Sequence, residues 1–345
     1  MRSDSTFPPP LPTLTVVVGR GAIPESFHAV HAVIARDDGS LVAYHGDPRR
    51  PTFPRSAVKS IQALPLLESG AADRFGFTSA ELALACSSHS GTPLHVETAR
   101  GMLAKADIDP DSLECGTHWP LDEASGRSLA RAGFEPSVLH NNCSGKHSGF
   151  LATARHLGLD MAGYVEADHP LQARVTEAIA EVLGVPLSAA NRGIDGCSIP
   201  TYCVPLDRLA TAFARIGTGA FLRAGRSEAF GRLRGAVAAN PLLIAGPGRF
   251  DSRVTATCGG RVFLKSGAEG VLCAAIPAAG LGIALKAEDG ALRGVEMVMA
   301  AILLQYLPSP SPDERTLLEE LRSPIVKNWR GTVVGTQTQS PWPAA

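Results

Sequence analysis

Lysine is scarce in this chain. Its 32 basic residues are 26 arginines and only 6 lysines. Arginine keeps its proton inside a protein and lysine can lose it, so a chain poor in lysine draws attention to the places that retain it. An excess of either charge sign is also missing. Against the 32 basic groups stand 33 acidic ones, a net charge of -1, so no basic surface is expected for a nucleic acid or an anionic membrane. Long apolar runs are missing as well. The longest charge-free apolar stretch, Gly270 to Leu285, is broken by Pro277, Gly280 and Gly282 and falls short of the roughly 20 residues of a membrane span. The segment Met1 to Pro12 has no apolar core of a secretion signal. The seven cysteines follow no dense framework, and together these absences predict a cytoplasmic protein with free thiols.

What is present reads as a folded chain. Hydrophobic residues make up 45% and charged ones 19%, which excludes a disordered composition. A length of 345 allows two domains or one large unit. Strand character occupies Thr13 to Val18, and Ala29 to Arg36 and Ser40 to Tyr44 flank the hairpin turn Asp37-Asp38-Gly39. The middle is helical in pattern. Segments run over Ser56 to Glu68, Ala80 to Cys86 behind the capping box Thr78-x-x-Glu81, and from Thr92-Pro93 to Lys105. Others cover Ser148 to Leu157, Leu171 to Leu183, Leu206 to Phe213 and Phe230 to Ala239. Strands are expected again at Arg253 to Thr257, Arg261 to Lys265, Val271 to Ile276 and Leu281 to Lys286, followed by helices at Val295 to Leu307 and Asp313 to Leu321. The pattern predicts one α+β unit over residues 13–335, its sheet built from the N- and C-terminal strands around a helical middle region. Residues 1–12 and 336–345 are expected to be flexible termini.

Some segments carry chemistry. Ser56 and Lys59 stand three apart, which on a helix puts hydroxyl and amine on one face, so that a neutral lysine could activate the serine. The bland alternative is an ordinary solvated helix face. Lys265-Ser266-Gly267 ends an expected strand, and serine–lysine acyl-transfer enzymes place such a triplet beside the nucleophile. Alone it reads equally well as a turn. Cys86-Ser87-Ser88-His89-Ser90-Gly91 is dense in nucleophiles, though such a turn also caps local amides. In Asn141 to Gly149, Cys143 with Lys146 or His147, joined by Cys197, offers soft ligands suited to zinc. A pair of buried thiols is the alternative.

In order along the chain, RSAVKSIQALPLLESGAADRFGF, ACSSHSG, NNCSGKHSGFL, GIDGCSIPTYCVPL and GRVFLKSGAEGV resemble the asparaginase II family, the rhizobial-type L-asparaginases, from about Val16 to Gly335. The resemblance implies a serine β-lactamase/glutaminase-like fold and hydrolysis of L-asparagine to L-aspartate and ammonia, in a homodimer. Matched residue by residue, it implies the catalytic pairs Ser56–Lys59 and Ser88–Lys265. It also implies one zinc ion per chain on Cys143, Lys146 and Cys197, and substrate contacts from Asp195, Arg55 and His147. His147 is the usual imidazole choice for the third metal ligand, whereas the resemblance points to Lys146. Either serine could be the nucleophile, helix-start geometry favouring Ser56. Competing readings are a glutaminase, a β-lactam or peptide acyl-transferase, and a non-catalytic zinc-binding protein.

Overall fold

The computed structural model describes residues 10–342. Strands β1 (Leu14–Arg20), β2 (Ile23–Arg36) and β3 (Leu41–His45) come from the N-terminal region. Strands β4 (Phe263–Gly267), β5 (Val271–Ile276), β6 (Leu281–Ala287), β7 (Ile325–Lys327) and β8 (Val333–Gln339) come from the C-terminal region. They form one antiparallel sheet in the order β7-β8-β1-β2-β6-β5-β4. Strand β2 is long enough to use one edge twice: residues 23–30 pair with β1 and residues 32–35 with β3, while β6 holds the opposite edge.

Both faces of the sheet are covered, which explains why β5 reads as an unbroken apolar run. Val271, Cys273 and Ala275 point into one core and Leu272, Ala274 and Ile276 into the other, the period of two expected of a strand. The first core is filled by the middle of the chain: α1 (Lys59–Gln62), α2 (Leu64–Glu68), α3 (Ser79–Ala85), α4 (Pro93–Lys105), α5 (Ser144–Leu157), α6 (Pro170–Leu183), α7 (Leu206–Thr218) and α8 (Ala224–Ala239). The second is closed by α9 (Phe250–Cys258), α10 (Leu292–Tyr306) and α11 (Pro312–Arg322). The architecture is α+β. Among the described residues no helix is long and apolar enough to cross a membrane.

Three expectations need correction. Arg253 to Thr257 is helical, inside α9. Its β-branched residues suggest a strand, but Phe250, Val254 and Cys258 lie four apart and all face the second core. The helix expected over Ser56 to Glu68 is a 3-10 turn (Arg55–Val58) followed by α1 and α2. Pro65 has no N–H to give to Ile61, so a new helix begins at Leu64 instead. The C-terminal segment is not loose as far as Gln339. Val16, Val17 and Val18 of β1 face Gln339, Thr338 and Gln337 of β8, which covers an edge that would otherwise present unpaired backbone. At the other terminus Leu11 N–H donates to Gly46 O and Gly46 N–H to Pro12 O. The rest of the expected flexible termini, residues 1–9 and 343–345, lies outside the described residues.

Candidate active site

The site forms where the 3-10 turn carrying Ser56 meets the end of β4. A Cβ on Gly267 would lie 2.3 Å from Pro54 O and 3.2 Å from Ala57 N, so a glycine lets the strand pass this close. The turn after α3 enters from the opposite side. Ser88 N–H donates to Ile244 O (3.0 Å), His89 N–H to Asn142 O (3.2 Å), and Ser90 Oγ to Ala245 O (2.7 Å). The result is a small cleft of about 120 Å³ lined by Ser56, Ser88, Asn142, Arg249 and Ser266, with Leu121 and Leu292 among its apolar walls. Ser56 is half-buried. Ser88 is buried and its hydroxyl has no hydrogen-bond partner.

Both lysines expected beside these serines are fully covered. Lys59 Nζ donates to Ser87 O (2.5 Å) and Asn142 O (3.3 Å), which ties the two serine-bearing segments together. Lys265 Nζ donates to Ser266 O (2.8 Å) and stands 3.6 Å from Asp251 of α9. Burial pushes Lys265 down to about 8. The Asp251 charge opposes that shift, and the Lys59 and Arg249 charges add to it.

Arg55 and Asp195 meet directly, Nε to Oδ1 at 2.6 Å. Burial works against the Asp195 charge, but Lys146 and Arg55 outweigh it and hold the carboxyl below its usual range. Arg55 sits in the left-handed region at φ 50, a conformation that costs a non-glycine residue of order 1 kcal/mol and recurs at functional sites.

The soft-ligand group also converges. Cys143, Lys146 and Cys197 are all buried, with Lys146 Nζ 3.0 Å from Cys197 Sγ. The hydrogen bond from Cys197 draws the Cys143 thiol well down against burial, helped by the charges of Lys59 and Lys146. The same bond, with burial, pushes Cys197 up. Burial disfavours the charge on Lys146, yet the sulfur pair overrides it and Lys146 stays protonated. His147 turns elsewhere: its Nδ1 is 2.7 Å from Tyr164 Oη, and its ring packs edge-on against Phe150 and Tyr164. It is fully buried and, like Arg55 and Asp195, does not line the cleft. Among the described residues no group of three His, Cys, Asp or Glu side chains could hold a metal, so a zinc site here needs the lysine amine as its third donor. Two sulfurs and one amine, all buried together, fit that requirement.

Asp251 and Asn142 escape the motif reading. Asp251 is hidden by the mistaken strand over Arg253 to Thr257. Asn142 acts through its main-chain oxygen, which accepts from Lys59 and His89 and which no side-chain pattern reports. A buried acid in the first turn of a helix near the Lys-Ser-Gly strand is the signal that could have found Asp251.

A cleft lined by two serine hydroxyls, with buried amines close behind them, has the parts of a nucleophilic site. The chain belongs to the L-asparaginase II family, whose model matches residues 16–339. It is thereby an asparaginase-like hydrolase acting on a small molecule. Similar solved structures include a β-lactamase from Mycobacterium bovis, at 14% identity over 81% of this chain and 95% of that one, TM-score 0.39. Another is a protein named Mglu, at 16% identity over 82% and 68%, TM-score 0.37. A third is a putative β-lactamase from Bacteroides dorei, at 12% identity over 75% and 84%, TM-score 0.35. No curated protein matches the chain.

Proposed function

We propose that the chain is an L-asparaginase that hydrolyses L-asparagine to L-aspartate and ammonia through an ester on Ser56. The observation that carries this reading is the single cleft onto which Ser56 and Ser88 both open, with Lys59 and Lys265 buried around it. Arg55 and Asp195 complement the substrate's α-carboxylate and α-ammonium, and Arg55 adjoins Ser56 in sequence. An amino acid inserted into that ion pair lays its side-chain amide toward the neighbouring hydroxyl. Ser56, more exposed than Ser88, takes the part of nucleophile.

Ser56 Oγ bonds to the amide carbon as its proton passes to a lysine amine. The C–N bond breaks, the nitrogen takes that proton, and ammonia leaves. Water then bonds to the ester carbon, giving a proton to the amine. The C–Oγ bond breaks as that proton returns to Ser56. Ser88 and Lys265 relay protons at the other side of the cleft.

One zinc ion per chain is proposed on Cys143, Cys197 and Lys146, with His147 left to its bond with Tyr164. When bound, the ion supplies a fixed positive charge beside the substrate-binding Asp195. Lys146 and Cys197 must each give up a proton to bind it, so zinc uptake releases protons and weakens as pH falls. Chelator treatment should lower turnover, with zinc content measured on the same sample. A homodimer is proposed with this reading, and light scattering checks its mass.

The test is ammonia release from asparagine, glutamine and, for ring opening, a chromogenic β-lactam. Asparagine should be the best substrate. Ser56→Ala should lose about 10³-fold or more of kcat, and Ser88→Ala a substantial fraction. Full activity in either variant removes that serine from the mechanism.

A further inference from the structure

The buried carboxylate of Asp251 has no part in the reading above, yet it stands directly behind the cleft, bonded to Ser266 of its wall. It lies in the first turn of α9, on the sheet face opposite the helical middle, and is 1% exposed. Its Oδ1 accepts from Ser266 N–H (2.8 Å) and Ser266 Oγ (3.0 Å), and the same oxygen is 3.6 Å from Lys265 Nζ. One oxygen therefore fixes the backbone of β4, a hydroxyl lining the cleft and a buried ammonium. Leaving any of the three unpaired in such a site is costly.

We propose that Asp251 is a positioning residue for Lys265, holding its amine at the cleft and setting how readily that amine gives and takes a proton. This rests on the serine–lysine reading of the site.

The groups facing Lys265 are Asp251 and Arg249 from the α9 side, Lys59 from α1 and the Cys86 thiol at the end of α3. Glu296 of α10 in turn faces Asp251 and Arg249. Its carboxyl is held near 7, chiefly by burial and secondarily by the Asp251 charge. Within this group Asp251 is the anion in contact with the amine, and it opposes the shift that burial and the cations impose. A neutral asparagine can still accept from Ser266 but no longer offsets the ammonium. Asp251→Asn therefore makes Lys265 easier to deprotonate.

Two readouts follow, one of them independent of catalysis. In kcat/KM against pH, the rising limb of Asp251→Asn should lie about one pH unit to the acid side of wild type. In thermal unfolding, the loss of Tm caused by Asp251→Asn should be largest below pH 8, where Lys265 is charged, and shrink as pH rises through 8. A purely structural role would lower kcat or Tm without moving either dependence on pH. A Tm loss that stays flat across that range overturns the proposal, whether or not the wild type hydrolyses asparagine. An unmoved limb in an active wild type and variant overturns it too. Absence of amidase activity in the wild type would overturn the functional reading alone. Should Asp251→Asn not yield folded protein, Asp251→Glu decides: at least a tenfold loss of kcat with the limb in place supports the proposal, and wild-type kcat contradicts it.

Discussion

Lys265 is the residue on which the proposed chemistry turns. Burial on the inner face of β4 places it near 8, so at neutral pH a usable fraction of the amine is neutral. Activity that depends on the neutral amine should rise with pH through 8. The folded protein binds the Lys265 proton less tightly than the unfolded chain does. Between about 8 and the ordinary lysine value of 10.5 the unfolded state therefore holds more protons, and stability from this group grows as pH rises across that window. Lys265→Arg preserves the charge and removes the ability to lose it. Ammonia release should fall by about 10³-fold while the fold persists, and near-normal turnover would show that charge alone suffices. The scarcity of lysine thus has a physical reading. Lys59, Lys146 and Lys265 are buried where an amine meets a carbonyl, a sulfur and a carboxylate. Lys105, by contrast, makes a half-exposed ion pair with Glu81.

At the scale of elements, small residues set how closely segments approach. A Cβ on Gly282 of β6 would stand 1.9 Å from Ala210 O and 2.2 Å from Ala214 N of α7. The helix backbone lies on the strand there. Gly282→Ala should cost about 3 kcal/mol in urea unfolding, and a loss below about 0.5 kcal/mol would show that α7 shifts freely. The elements themselves were legible wherever period or punctuation was strong. The helix from Pro93 to Lys105 begins behind its Thr92-Pro93 signal, and β5 covers Val271–Ile276 as read. Glu81 closes the capping box of Thr78 as its spacing requires, accepting from Thr78 N–H at 2.7 Å. What stayed illegible depends on the rest of the chain. Strand β7 has only three residues and β8 is largely polar, and they are strands because β1 has an edge to cover. The four-residue spacing of α9 competes with its β-branched content, and only the second core decides between them. At the site, side-chain motifs were legible, whereas the main-chain oxygens of Ser87 and Asn142 that receive Lys59 were not.

For the whole molecule, the sheet joins the two ends of the chain and the site lies between the regions those ends enclose. Truncation before Val333 should therefore cost more than a loose tail would. It strips β8 from β1 and removes Trp342, whose indole N–H donates to Tyr306 Oη (3.4 Å) and whose ring packs edge-on against His45. Such a truncation should lower Tm by several degrees in thermal unfolding, and an unchanged Tm would mean that the β1–β8 pairing adds nothing.

The central claim is a covalent ester on Ser56. Its most direct measurement is mass spectrometry of enzyme quenched in acid during turnover of asparagine, followed by peptide mapping. The account predicts an aspartyl adduct on the peptide bearing Ser56, absent from Ser56→Ala. Turnover with no adduct on any serine, or an adduct on Ser88 that survives Ser56→Ala, would contradict it.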